Sequence, residues 1–356
     1  MQNLRKAIQE YGYLQFYLAF GDGNLRQKEW HEAATVAQGS LRTLINVFLL
    51  NETEDVSTLS SLIGIEAVER ICNNEILERN GNQIQSKNYV LISFRGFLIF
   101  HQIGVAPQSY FGADSIALAT YQTPSINGRT LDLCSGPGIQ AMVASLHSRE
   151  SHSVEINEKV HKVAKVNIEL NSLENKIILH HCSNEEFLKT DYQNFDLITF
   201  NPPLLPIPDE LEYPFVGNGG NDGLKITKNI LTTYSKKLNN NGRFEFVGTG
   251  LGYEGQPLFV SELSSLMKLN KIQSRFFLLA RRKLISGSLL FDCLVQTTAL
   301  FLNKPVIELE RIFLDHFANL KRNELYFFFA SCSKKENFEE TQIIDFSNHY
   351  MGDWFL

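Results

Sequence analysis

Three short stretches of the chain hold residue types that can do chemistry together. The first is Thr130-Leu-Asp-Leu-Cys-Ser-Gly-Pro-Gly-Ile-Gln140, an apolar alternation carrying Asp132 and then two glycines. Gly136 and Gly138 let a backbone turn sharply and come close to a ligand where a side chain would intrude. A helix from Ile139 to His147 would then aim its first amides at that ligand. The second is Ser153-Val-Glu-Ile156, which sets Glu155 19 positions beyond Gly136. A carboxylate at that spacing can accept hydrogen bonds from both hydroxyls of a ribose. The third, Asp196-Leu-Ile-Thr-Phe-Asn-Pro-Pro-Leu204, is an apolar strand running directly into Asn201, Pro202, Pro203 and Leu204. A two-glycine turn serves packing as well as nucleotide binding, and a Pro-Pro pair can simply end a strand. The acid between them, at its spacing, turns the three into one candidate site.

Composition narrows the classes. The chain has 356 residues and 44% hydrophobic content, ordinary for a large folded core, with no run of about 18 uncharged apolar residues to cross a membrane. Met1–Glu10 mixes charges into a helical pattern and lacks a signal peptide's apolar segment. Five cysteines lie far apart with no Cys-x-x-Cys pair, which predicts a reducing cytoplasm and no structural zinc. The nine histidines show no ligand spacing, so no metal is expected. The net charge of −6 argues against nucleic acid as substrate.

Together the glycine turn, Glu155 and Asn201-Pro202-Pro203-Leu204 resemble the class I S-adenosylmethionine (SAM) dependent methyltransferases, in the branch carrying Asn-Pro-Pro-(Tyr/Phe/Leu). That branch includes release-factor glutamine methyltransferases and several ribosomal RNA methyltransferases. The resemblance implies SAM as cofactor and a Rossmann-like α/β domain of seven strands. It gives Asp132, Cys134, Gly136 and Gly138 to the methionine and ribose portion of SAM and Glu155 to the ribose diol. Ser183 and Asn184 fall where many members carry an acid that contacts the adenine amine. Asn201 and the following prolines would be catalytic, accepting hydrogen bonds from an NH2 group and turning its lone pair to the methyl. Leu204 replaces the usual ring that stacks on a planar amide or base. Phe111-Gly-Ala-Asp-Ser115 resembles the stretch that packs against the cofactor's methionine end, although Asp114 or Ser115 would serve equally as a helix cap. Tyr110, Leu204, Tyr213 and Phe215 are candidate substrate-binding residues. Gly217-Asn-Gly-Gly-Asn-Asp-Gly-Leu224 resembles a loop of the glutamine methyltransferases and would allow a mobile lid, with Asp222 capping the helix after it.

These residues need elements to position them. From Thr130, strands are expected near 130–134, 152–156, 176–181, 195–200, 242–248, 273–280 and 325–331, alternating with helices as in a parallel sheet. The last two strands form an antiparallel closing pair, with a helical insertion at 284–322 between them. Residues 1–107 form an N-terminal domain and 108–356 the catalytic one. Residues 1–20 read as one aromatic-rich helix ended by Gly21-Asp-Gly23. Three helices over 41–72 and two strands, Ile76–Gln85 and Tyr89–Ser93, closed by turns at Asn80-Gly81 and Ser86-Lys-Asn88, resemble a winged helix. Its usual role is DNA binding, yet residues 1–110 carry 9 Lys/Arg against 11 Asp/Glu. This predicts a substrate-recognition or dimerisation domain.

The expected reaction is methylation of a nitrogen on a small molecule, peptide or protein. The alternatives are ribosomal RNA N-methylation, cyclisation of SAM with release of methylthioadenosine, and a non-catalytic SAM-binding regulator.

Overall fold

The structure is a computed structural model that describes residues 1–20, 27–104, 107–335 and 340–348. The first twenty residues form two helices, α1 (Gln2–Glu10) and α2 (Tyr13–Phe20), rather than one. The break falls at Gly12, whose φ of 80° is left-handed. The expected Gly21-Asp-Gly23 stop lies outside the described residues. Next come α3 (Gln27–Ala33) and α4 (Gly39–Ile45), the latter continued by a π turn over Asn46–Leu50. Then follow β1 (Glu54–Asp55), α5 (Val56–Ile63), α6 (Ile65–Asn73), β2 (Leu77–Asn80), β3 (Gln83–Ser86), β4 (Tyr89–Phe94) and β5 (Phe97–Gln102). The first three strands make a small antiparallel sheet in the order β1-β3-β2.

The ribbon departs from the sequence-based pairing. Residues 77–86 fold into their own hairpin around Gly81, and β4 pairs with β5 instead. The cause is Arg95-Gly96, where both residues take positive φ, 51° and 83°, and so form a two-residue hairpin turn.

The second half begins with α7 (Ala113–Tyr121) and runs β6 (Arg129–Leu133), α8 (Ile139–Ser145), β7 (Glu150–Glu155), α9 (Glu158–Leu170), β8 (Ile177–His181), α10 (Asn184–Leu188) and β9 (Phe195–Phe200). It continues with α11 (Lys225–Thr233), β10 (Leu238–Gly252), α12 (Leu258–Leu269), β11 (Ile272–Lys283), α13 (Leu289–Leu302), α14 (Val306–Leu320), β12 (Glu324–Lys334) and β13 (Gln342–Asp345). The sheet order is β13-β11-β12-β10-β9-β6-β7-β8. β8 through β10 run parallel, and β12 is antiparallel to both β10 and β11, with Phe276 opposite Ala330. Eight strands stand where seven were expected, because β13 adds itself parallel to β11 at the edge. The insertion is the helix pair α13–α14, as expected.

Two consequences position the site. The chain runs from β6 outward to β8 and then returns to β9 on the other side of β6. The carboxyl ends of β6 and β9 therefore flank the reversal point, where open α/β sheets form a binding crevice. Secondly, the N-terminal core is continuous with the layer of α8 and α9, through Met142, Val163 and Val166. Asn167 and Asn171 complete that joint. Their carboxamides pair with the backbone N–H and C=O of Phe100 and Leu98 at 2.7–3.0 Å, satisfying the open edge of β5.

Candidate active site

β6 is buried because Leu131 and Leu133 point into the core, which leaves Asp132 at its carboxyl end. The Asp132 carboxylate accepts Thr199 Oγ1 at 3.0 Å and the Ala141 amide at 3.2 Å. Burial pushes its pKa up to about 8. The chain then turns through Cys134, Gly136 and Gly138 with φ of 55°, 55° and 89°. A side chain at either glycine would meet no atom closer than 3.7 Å. What demands glycine is the left-handed backbone. Cys134 takes that conformation as well, with Asn184 Nδ2 donating to its Sγ at 3.4 Å. Burial pushes its thiol up to about 12, so it is a neutral strut rather than a nucleophile.

Glu155 ends β7 and closes over this turn. Its Oε2 accepts the Gly136 amide at 2.9 Å and its Oε1 the Asn157 amide at 2.8 Å. Burial raises its pKa. Ser183 caps α10 in a reciprocal pair with Glu186, at 3.1 and 2.7 Å. Asn184 is spent on Cys134 and, through its carbonyl, on the Tyr234 hydroxyl at 2.5 Å.

Asn201 follows β9 directly. Its Nδ2 donates to Ser115 Oγ at 3.2 Å, and Ser115 Oγ in turn donates to Asp114 Oδ1 at 3.4 Å. Asn201 Oδ1 is buried with no partner. Asp114 does not cap α7, whose cap residue is Gly112 with no side-chain hydrogen bond. Its carboxylate instead accepts the Ser115 amide at 2.6 Å and the Ser115 hydroxyl at 3.4 Å. Burial raises the pKa of Asp114, and burial followed by the nearby Asp114 charge raises that of the Tyr110 phenol.

Past Asn201, Pro202 is buried and Pro203 half-buried. Leu204 is buried, and its carbonyl accepts the Thr249 hydroxyl. The glycine run expected as a lid is instead one side of a folded-back ladder. Leu205 donates to the Gly217 carbonyl at 3.0 Å, Gly219 to Leu205 at 2.9 Å and Ile207 to Gly220 at 2.9 Å. Asp222 holds the Leu224 amide at 2.9 Å and Lys228 Nζ at 2.5 Å, ahead of α11, which starts at Lys225. Tyr213 packs edge-on against Phe301 of α13 at 5.4 Å between ring centres, and Phe215 is 61% exposed.

The structure thus gathers Asp132, Cys134, Gly136, Glu155 and Asn184 around the turn after β6, through separate bonds of Asp132 to Thr199, Cys134 to Asn184 and Gly136 to Glu155. It joins Tyr110, Asp114, Ser115 and Asn201 into a hydrogen-bonded group. Asp132 and Glu155 are both buried acids with raised pKa, and neither forms an ion pair with Lys or Arg among the described residues. Such a set fits a cationic ligand, whose charge would offset the cost of ionising them. A sulfonium with an α-amino group is one, and the free backbone turn leaves room for it.

Sequence reading missed three supporting residues. Thr199 holds Asp132, Thr249 holds Leu204, and Asn167 donates to the Pro137 carbonyl in the glycine turn at 3.0 Å. Thr199 is the one polar residue between Leu197 and Phe200, and that was the available signal; the other two carry none.

Comparison with known proteins follows this geometry. The family model described as "Methyltransferase small domain" matches residues 99–279. A ribosomal protein uL3 glutamine methyltransferase of Bradyrhizobium diazoefficiens is 30% identical over 150 residues, 39% of this chain and 46% of that one. A tRNA1(Val) (adenine(37)-N6)-methyltransferase of Pasteurella multocida is 32% identical over 98 residues, 27% of this chain and 41% of that one. A release factor glutamine methyltransferase of Thermodesulfovibrio yellowstonii is 25% identical over 264 residues, 67% of this chain and 92% of that one. The chain therefore spans less than half of the first two and most of the third.

Proposed function

The chain belongs to the methyltransferase small-domain family, and from that premise we propose that it transfers the methyl group of SAM to the carboxamide nitrogen of a protein side chain. The observation that carries this reading is Asn201 Oδ1, a buried acceptor without a donor at the end of β9. An unsatisfied buried acceptor costs stability, and a substrate N–H can relieve that cost. The acceptor must therefore bear hydrogen on the nitrogen to be methylated.

When bound, SAM supplies an activated methyl on a sulfonium leaving group. Glu155 would hold its ribose hydroxyls, while Asp132 and the Gly136–Gly138 turn would hold the remainder. The protein's own work is alignment and exclusion of water. Asn201 Oδ1 accepts one substrate N–H, which fixes the nitrogen's orientation. The rigid Pro202-Pro203 backbone keeps that acceptor aimed.

A protein carboxamide is favoured by the relative matched over 92% of its length, a release factor glutamine methyltransferase. The acidic balance of residues 1–110 supports the same choice. Charge alone does not exclude nucleic acid, however: a matched relative named for tRNA adenine makes an RNA amine the second reading. The test is incubation with methyl-labelled SAM and a bacterial translation extract, followed by separation of protein from RNA. Label in protein, at a glutamine-type amide, is expected. Label confined to RNA would overturn the protein reading, and methylthioadenosine from SAM alone would overturn methyl transfer itself.

A further inference from the structure

We infer that Asp114 is the positioning residue that fixes which way the Asn201 carboxamide points, and that this inference rests on the nitrogen-methylation reading above. An asparagine side chain can present either its oxygen or its NH2 to a ligand, and the two ends have nearly the same shape. Only the oxygen can accept a substrate N–H. Something must therefore hold the NH2 end.

Asn201 offers two N–H donors. One goes to Ser115 Oγ at 3.2 Å. The other end of the network is the Asp114 carboxylate, which when ionised can only accept. Ser115 Oγ donates back to Asp114 Oδ1 at 3.4 Å, and the Ser115 amide donates to the same oxygen at 2.6 Å. Tyr110 adds its hydroxyl to the carboxylate. With the Ser115 hydroxyl proton directed at Asp114, Ser115 Oγ meets Asn201 as an acceptor, so turning the amide over would set oxygen against oxygen, which is repulsive. The network accordingly leaves Oδ1 as the outward end, and Oδ1 is the atom without a partner. The side chain is aimed before any substrate arrives, so no reorganisation is needed during transfer.

Asp114 touches neither reacting atom in this account. It lies in the Phe111–Ser115 stretch at the start of α7, apart from the glycine turn, Glu155 and Asn201. Its task differs from that of Asp132 and Glu155, which lie at the turn after β6.

The test replaces Asp114 with Asn, an isostere that can both donate and accept. The Asn201 side-chain NH2 signals in a nitrogen-15 spectrum are assigned by their loss in Asn201→Ala. In Asp114→Asn these protons are expected to exchange with solvent at least about tenfold faster, since Ser115 Oγ is no longer held as their acceptor. SAM affinity by calorimetry should stay within about twofold, while kcat falls at least about tenfold. Ser115→Ala should show the same pattern more weakly. Unchanged Asn201 signals in Asp114→Asn would overturn the proposal whatever the activity. Weakened SAM binding with kcat retained would also overturn it, by making Asp114 a cofactor ligand. Coupled Asn201 signals in a wild-type protein that methylates nothing would overturn the nitrogen-methylation reading and with it the positioning role, while leaving the hydrogen bond in place. The spectrum separates these two failures.

Discussion

Gly136 donates its backbone N–H to Glu155 Oε2 at 2.9 Å, which ties the turn after β6 to the last residue of β7. The acid is therefore both a ligand candidate and a brace for the turn. The Asn157 amide at 2.8 Å braces its other oxygen.

Replacing Glu155 with Ala should remove the acceptors for a ribose diol and free both amides at once. Each charge-assisted hydrogen bond lost costs about 1.5–3 kcal/mol. SAM affinity measured by calorimetry should fall at least about tenfold. Glu155→Gln keeps one oxygen and should fall less. Wild-type affinity in a folded Glu155→Ala protein would remove Glu155 from the cofactor site.

Asp132 makes stability depend on pH. Its pKa is 3.8 in the ordinary case and about 8 in the folded chain, because burial disfavours the charged form. Between those values the folded chain holds a proton that the unfolded chain has released. This contribution is complete below about pH 4 and is lost as pH rises through about 8. Urea unfolding of wild type and Asp132→Asn across pH 5 to 8 should show wild type losing stability relative to the variant as pH rises. A constant difference would show that Asp132 is charged throughout.

Gly223 has a φ of +79°, and a side chain there would come within 2.6 Å of the Leu204 carbonyl and 2.9 Å of Thr249 Oγ1. Gly223→Ala should therefore strain the backbone by about 1–3 kcal/mol and push the segment after Pro203 out of place. Methyl transfer should drop at least about tenfold, with SAM affinity nearly unchanged. If transfer survives, the ladder between 204–207 and 217–220 is not needed to hold the site.

Much of this was legible in the sequence, for identifiable reasons. The inner strands of the main sheet are runs of mostly buried residues, and β6 and β9 fall where those runs are. Spacing along the chain is what singled out Gly136, Gly138, Glu155 and Asn201, and the Gly136–Glu155 hydrogen bond joins two of them. The N-terminal ribbon was misread because Arg95-Gly96 is a hairpin turn that requires left-handed φ at an arginine, which composition does not announce. Asp114 was left between helix cap and site, since both use an acid near a helix start. Only its link through Ser115 to Asn201, 87 positions away, separates them. β13, four residues long, has too little pattern to stand out.

The central claim is that Asn201 aligns the substrate nitrogen while other residues hold SAM. The direct measurement is kcat for methyl transfer by Asn201→Ala, taken together with its SAM affinity. Losing a positioning group should lower kcat at least about a hundredfold with cofactor affinity nearly intact. Pro203→Ala should be milder, since it loosens the segment without removing an acceptor. Asn201→Ala turning over at the wild-type rate would contradict the account and reduce Asn201-Pro202-Pro203 to the end of a strand.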